Sequence, residues 1–196
     1  MFTSIISLID TLDNIQRSSS AHEKLLVLRN KILIQLIYGG CLKVSDIERL
    51  KSVHFTSANK GQIRILIAPE KREPFTVPMP KGFTELHQQY LKLLENRKNE
   101  NQIDFDDYLF NGNPFKILKG GLSARGIEVI FKELSKVQKV TITAKNIRQA
   151  GIFKLLADNI PDSRIKEWMG VQPQYSLKPY KDLAESKPEK YCYTDL

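Results

Sequence analysis

Apolar positions fall at helical spacing in both halves of the chain, with a short stretch of strand spacing between them. Ile5, Ile6, Leu8, Ile9 and Leu12 predict an amphipathic helix over Phe2 to Ile15, broken by the polar stretch Arg17 to Ala21. Two readings of this helix are open: it packs on the main body, or it is the remnant of a linker. From His22 to Tyr38, Leu25, Leu26, Leu28, Ile32, Leu33, Leu36 and Ile37 predict a helix buried on most sides. Gly39-Gly40 ends it, and Leu42, Val44, Ile47 and Leu50 begin another.

The period then changes. Val53 to Thr56 reads as a strand and Ser57 to Gly61 as a turn, after which Ile63, Ile65 and Ile67 alternate with Arg64 and Leu66. Glu70 to Pro74 turns again, and Phe75 to Pro78 returns as a third strand of an antiparallel meander. Phe83 to Lys98 is a helix with Phe83, Leu86, Tyr90, Leu93 and Leu94 inside, followed by a polar surface loop from Asn96 to Asp107. Ser123 to Val137 is a further helix, and Thr143 caps another that carries Ile147, Ala150, Gly151, Phe153, Leu155 and Leu156. The break Asn159 to Ser163 precedes a second short helix with Ile165, Trp168 and Met169. The predicted class is mixed α+β, mainly helical, with one small three-stranded antiparallel sheet.

A length of 196 residues with 41% hydrophobic and 27% charged content suits one soluble globular domain with its own core. Thirty Lys and Arg against 22 Asp and Glu leave a net charge of +8, which favours a polyanionic partner, nucleic acid first. Cys41 and Cys192 lie far apart, and His22, His54 and His87 form no cluster, so no metal or cofactor is expected. Without an apolar run of membrane length or a signal pattern at Met1 to Asn14, the expectation is a cytoplasmic protein with no membrane partner.

The candidate chemistry is concentrated between Thr143 and Tyr180. Lys145 and Arg148, three positions apart, share a helical face, and Tyr180 follows Arg148 by 32 residues on a polar segment flanked by proline. A second cationic start, Lys43, precedes the acidic Asp46 by three residues. Taken alone, Lys43 reads as a solvated charge at a helix start, and Tyr180 as a surface or packing tyrosine like Tyr175, Tyr191 or Tyr193.

In order and spacing these residues resemble the catalytic domain of the tyrosine recombinases, the phage-type integrases, over about residues 22 to 182. That family reads His-x-x-Arg, a helix, a turn, a second helix ending in Leu-Gly-His/Trp, and a nucleophilic tyrosine nine residues later. Here Lys145-Asn146-Ile147-Arg148 fills the first slot, Trp168-Met169-Gly170-Val171 the second, and Tyr180 follows Val171 by nine. The junction from Tyr38 to Leu50 is similar to the family's Tyr-x-Thr-Gly-Leu-Arg-x-x-Glu segment, with Lys43 in the arginine's place and Asp46 in that of the buttressing acid. Tyr108-Leu109-Phe110 resembles the family's Leu-Phe segment. The lysine in the family's second hairpin turn corresponds to Lys71, with Lys60 and Arg72 as weaker alternates.

The resemblance implies a three-part organisation: an N-terminal helix or linker (1–21), a catalytic domain (22–182) and a tail (183–196) that docks on a neighbouring protomer. The helical core-binding domain that usually precedes the catalytic domain has no counterpart in the first 21 residues. It also implies site-specific cutting and rejoining of double-stranded DNA through a 3′-phosphotyrosyl link, by a dimer or tetramer formed on DNA, with the protein associated with the nucleoid or a mobile element. Tyr180 would attack, Arg148, Lys145 and Lys43 would surround the phosphate, and Lys71 would protonate the leaving 5′ oxygen. Lys116, Lys119 and Arg125, in a basic glycine-rich neighbourhood, are DNA contacts or parts of a solvated loop. Two departures make the set degenerate: ammonium at Lys43 replaces a two-pronged guanidinium, and Val171 cannot donate a hydrogen bond. A catalytically impaired DNA-binding relative is therefore an alternative. So is a type IB topoisomerase-like enzyme, whose related family uses Lys-x-x-Arg.

Overall fold

The computed structural model describes residues 5–18, 20–57, 61–101, 108–110 and 120–186. At its centre is α2 (Ala21–Tyr38), where Ile32, Leu33, Ile34, Leu36 and Ile37 are fully buried. A helix apolar all round needs neighbours on every side, and α2 has them in α1 (Ile5–Ser18), α4 (Lys81–Asn101) and α6 (Ala144–Ala157). Each buried Leu or Ile stabilises the fold by about 1.5–3 kcal/mol relative to exposure. The start of α2 lies inside the polar break read from the sequence. Ser20 accepts the Glu23 amide through its hydroxyl, while the Glu23 carboxylate accepts the Ser20 amide at 2.9 Å.

The first helix packs on the main body. Leu8 and Leu12 are buried in the same core as α2, Asp13 pairs with Lys31, and the Gln138 side chain donates to the Thr11 hydroxyl.

The sheet is a meander of β1 (Phe55–Ser57), β2 (Ile63–Ile67) and β3 (Phe75–Pro78), antiparallel throughout, with Phe55 opposite Ile65 and Ile65 opposite Val77. Ile63, Ile65, Ile67 and Val77 face the core and Leu66 faces out, as the alternation requires. The first strand begins two residues later than its apolar pattern suggests. His54 closes a 3-10 turn over Ser52–His54 by accepting the Lys51 amide on Nδ1 at 3.0 Å, which leaves Val53 exposed. With no Gly or Pro to stop it, α4 runs through the predicted loop from Asn96 as far as Asn101; the rest of that loop lies outside the described residues.

His87 on α4 is stacked with Phe55 at 4.6 Å and Phe83 at 5.6 Å, is 5% exposed, and has no hydrogen-bond partner for Nε2 among the described residues. Burial pushes its pKa down from 6.5 to about 4. The folded state therefore resists a proton that the unfolded state accepts. The stabilisation is fully present above pH 6.5 and is lost as pH falls toward 4, by up to about 3 kcal/mol. Denaturant unfolding across pH 7 to 4 should show a smaller loss for His87→Phe, which keeps the stack and cannot titrate. Parallel curves for the two proteins would refute this.

The C-terminal half consists of α5 (Ala124–Gln138), α6, a short α7 (Asp162–Trp168) and α8 (Lys178–Ser186). Ser123 caps α5 and Thr143 caps α6, each accepting the amide three residues on. The segment around Tyr180, read as polar and flanked by proline, is the first turn of α8, and Leu183 to Ser186, read as part of the tail, continue that helix. Proline is tolerated in a first turn because its missing N–H has no intrahelical partner there, and Lys178 pairs with Asp182 four residues on. Residues 187–196, with Tyr191, Cys192 and Tyr193, lie outside the described residues. Among the described residues no helix is long and apolar enough to cross a membrane, and no three His, Cys, Asp or Glu side chains gather to hold a metal ion.

Candidate functional site

The site is assembled where the end of α2 meets α6. After Tyr38 the chain turns through Gly39 and Gly40 to Cys41, whose φ of 51° turns its carbonyl out of the helix. Arg148 on α6 donates to that carbonyl through Nε at 2.6 Å, while its Nη2 is buried without a hydrogen-bond partner among the described residues. Burial raises the Cys41 thiol to about 12, against the pull of the Arg148 charge. The approach of the two helices depends on Gly151, where a Cβ would stand 2.0 Å from the Tyr38 carbonyl oxygen, a backbone atom that cannot yield cheaply. Gly151→Ala is expected to cost about 1–3 kcal/mol in denaturant unfolding and to shift Arg148 off its seat. Unchanged stability would show that the helices part without cost.

Lys43 starts the four-residue α3 (Val44–Ile47), and its amide donates to Asp46 Oδ2 at 3.2 Å. The Asp46 side chain is only 2% exposed and also takes Arg72 Nη2 at 2.5 Å. Arg72 comes from the turn between β2 and β3. It further donates from Nη1 to the carbonyls of Gly170 at 3.0 Å and Met169 at 3.5 Å, and lies over the Phe75 ring at 5.4 Å. Gly170 permits this: its φ is 59°, and a Cβ would meet Phe75 at 2.2 Å. The Lys43 pKa is lowered by burial first, then by the Arg72 and Arg148 charges, with Asp46 opposing. The Arg72 and Arg148 charges thus both act on Lys43, while the buried Asp46 carboxylate pairs with Arg72, and the excess positive charge invites an anion.

Beside this cluster, Tyr180 packs edge-on against Phe153 at 6.1 Å, and its hydroxyl lies 3.5 Å from that of Tyr175. The Tyr175 pKa is raised by this hydrogen bond and by burial, and pulled down by the Arg148 charge, which ties the tyrosine pair to the cation cluster. Val171 packs on the same small apolar cluster as Tyr180 and lines a cleft of about 520 Å³ with Arg72, Gly170 and Tyr175.

Of the residues singled out in the sequence, Lys43, Asp46, Arg148, Val171 and Tyr180 therefore gather in one region. Lys145 is exposed one turn before Arg148, with no hydrogen bond or ion pair to the described residues. Lys71 lies in the β2–β3 turn, exposed and unpaired among the described residues, while its neighbour Arg72 is bonded into the site. Arg125 is exposed at the start of α5, and Lys60, Lys116 and Lys119 fall outside the described residues. The sequence reading ranked Arg72 below Lys71 and took Tyr175 as a surface or packing tyrosine; no periodicity within a seven-residue turn tells which of two adjacent cations faces inward.

No protein-family model matches the sequence, and no curated protein is similar to it in sequence. Solved structures, by contrast, match nearly the whole chain. The structure of XerH site-specific recombinase bound to difH substrate superposes with a TM-score of 0.67 at 18% identity, covering 94% of this chain and 49% of that one. XerA recombinase gives 0.64 at 17% identity, covering 99% and 66%. The Tn1549 transposon integrase, in complex with circular intermediate DNA, gives 0.60 at 14%, covering 96% and 59%. The chain spans about half to two thirds of the length of these proteins. It has the fold of tyrosine recombinase catalytic domains, mainly helical with a small antiparallel sheet.

Proposed function

We propose that this chain cuts and rejoins double-stranded DNA as a site-specific recombinase of the tyrosine class. The observation that carries the reading is the gathering of Lys43, Arg72 and Arg148, with the two arginine charges acting on Lys43 and only the Asp46 carboxylate opposing among the described residues, beside a paired tyrosine hydroxyl. A phosphodiester supplies the missing negative charge, and the buried, unpartnered Nη2 of Arg148 supplies a donor for it. Tyr180 attacks phosphorus, forming a 3′-phosphotyrosyl link and releasing a 5′ hydroxyl. Because the link conserves the phosphodiester energy, rejoining needs neither nucleotide nor metal.

Arg148 and Lys43 hold the phosphate, with Lys145 closing over it from the exposed turn of α6. Lys71 gives its proton to the leaving oxygen. Arg72 is unsuited to that step because a guanidinium does not deprotonate in proteins; it contributes charge and holds Asp46 and the end of α7. Assembly on DNA as a dimer or tetramer belongs to the same proposal, as do DNA contacts from Arg125, Lys116 and Lys119.

The test is a nicked duplex from which the cleaved flank diffuses away, drawn from random-flank libraries or from DNA around the gene's own locus. A protein–DNA adduct on a denaturing gel, mapped to Tyr180 by peptide mass, is the expected result. DNA bound with a steep salt dependence but never cleaved would replace this proposal with a DNA-binding relative lacking activity, the reading that Lys43 and the hydrocarbon side chain of Val171 favour.

A further inference from the structure

We infer that the Tyr175 hydroxyl donates a hydrogen bond to a non-bridging oxygen of the phosphate that Tyr180 attacks; this rests on the recombinase reading above. Tyr175 stands on the segment between α7 and α8. The residue is 38% exposed, and it lines the cleft that Arg72, Gly170 and Val171 also border. Its oxygen is 3.5 Å from that of Tyr180.

Geometry turns that contact into a role. An attacking oxygen poised for reaction sits about 3–3.5 Å from the atom it attacks. The non-bridging oxygens lie one bond from that phosphorus, so a hydroxyl touching the nucleophile is within reach of one of them. At 3.5 Å the link between the two phenols is long for O–H···O, and exchanging it for a bond to a charged oxygen is favourable. Of the groups beside it in the cleft, Arg72 is engaged by Asp46 and the Gly170 carbonyl and Val171 has no polar atom, while Tyr175 is the donor that touches the Tyr180 hydroxyl. The hydrogen bond to Tyr180 and partial burial also hold the proton on Tyr175, which suits a donor.

In the step itself Tyr180 Oη bonds to phosphorus and its proton passes to solvent. The bond from phosphorus to the 5′ oxygen breaks, and that oxygen takes a proton from Lys71. Tyr175 keeps its proton throughout and donates to the oxygen on which charge accumulates.

The test compares wild type with Tyr175→Phe in single-turnover cleavage of the nicked duplex, together with DNA affinity and thermal midpoint. The expected result is a rate about 10²-fold lower with affinity and midpoint unchanged, the effect of removing one oxyanion donor. Methylphosphonate diastereomers at the scissile position then separate a direct contact from an indirect one. The penalty of Tyr175→Phe should vanish on the diastereomer that lacks the contacted oxygen and persist on the other. Cleavage by Tyr175→Phe at the wild-type rate overturns the inference and leaves Tyr180 as nucleophile. So does an equal penalty on both diastereomers, which would mean that Tyr175 acts only by orienting Tyr180. Absence of an adduct with wild type on every substrate is the separate failure of the recombinase reading, and this inference falls with it.

Discussion

Tyr180→Phe is expected to abolish the covalent adduct while leaving DNA affinity within about twofold of wild type. The substitution removes one oxygen. The ring keeps its edge-on contact with Phe153 and its place on the apolar cluster with Val171, and among the described residues Tyr180 Oη bonds only the partly exposed Tyr175. Folding should therefore be unaffected, since losing one such hydrogen bond costs about 1 kcal/mol or less. Binding is dominated by cations that the substitution does not touch. Loss of adduct with retained binding would assign the nucleophile. An adduct that persists in Tyr180→Phe, mapped to Tyr175, would instead make the neighbouring phenol the attacking group.

Much of this arrangement is legible in the sequence because it follows from periods. The all-round apolar run of α2 fixes the centre, the alternation at Ile63, Ile65 and Ile67 fixes the sheet face, and 32 residues from Arg148 to Tyr180 span two helices whose lengths their apolar faces set. Where no period acts, the reading is weaker. Helix α8 was missed because its residues are mostly polar and its only strongly buried anchor, Leu177, lies before its first turn. The start of β1 was misplaced because a side-chain bond from His54 overrides strand propensity. Arg72 was ranked below Lys71 because facing in or out of a turn is decided by partners distant in sequence: Asp46 and the Gly170 carbonyl, 26 and 98 residues away.

That last distinction carries the second large effect. Arg72→Ala leaves the Asp46 carboxylate, 2% exposed, with only the Lys43 amide among the described residues, and frees the end of α7 from the β2–β3 turn. Stranding one partner of such a pair costs about 3–5 kcal/mol, and for a domain of this size each kcal/mol lowers the midpoint by about 2–4 °C. Unfolding should therefore show a midpoint lower by roughly 6–20 °C. Asp46→Asn in the same chain should recover part of the loss, because the stranded charge is gone. Lys71→Ala, exposed and unpaired among the described residues, should leave stability within about 0.5 kcal/mol and instead slow cleavage by about 10²–10⁴. Substituting sulfur for the leaving 5′ oxygen separates the two further. A thiolate leaves without a proton, so this substrate should restore cleavage by Lys71→Ala and do nothing for Arg72→Ala. Rescue of both variants would mean that Arg72 acts through the leaving group as well, and rescue of neither would remove Lys71 from the proton path.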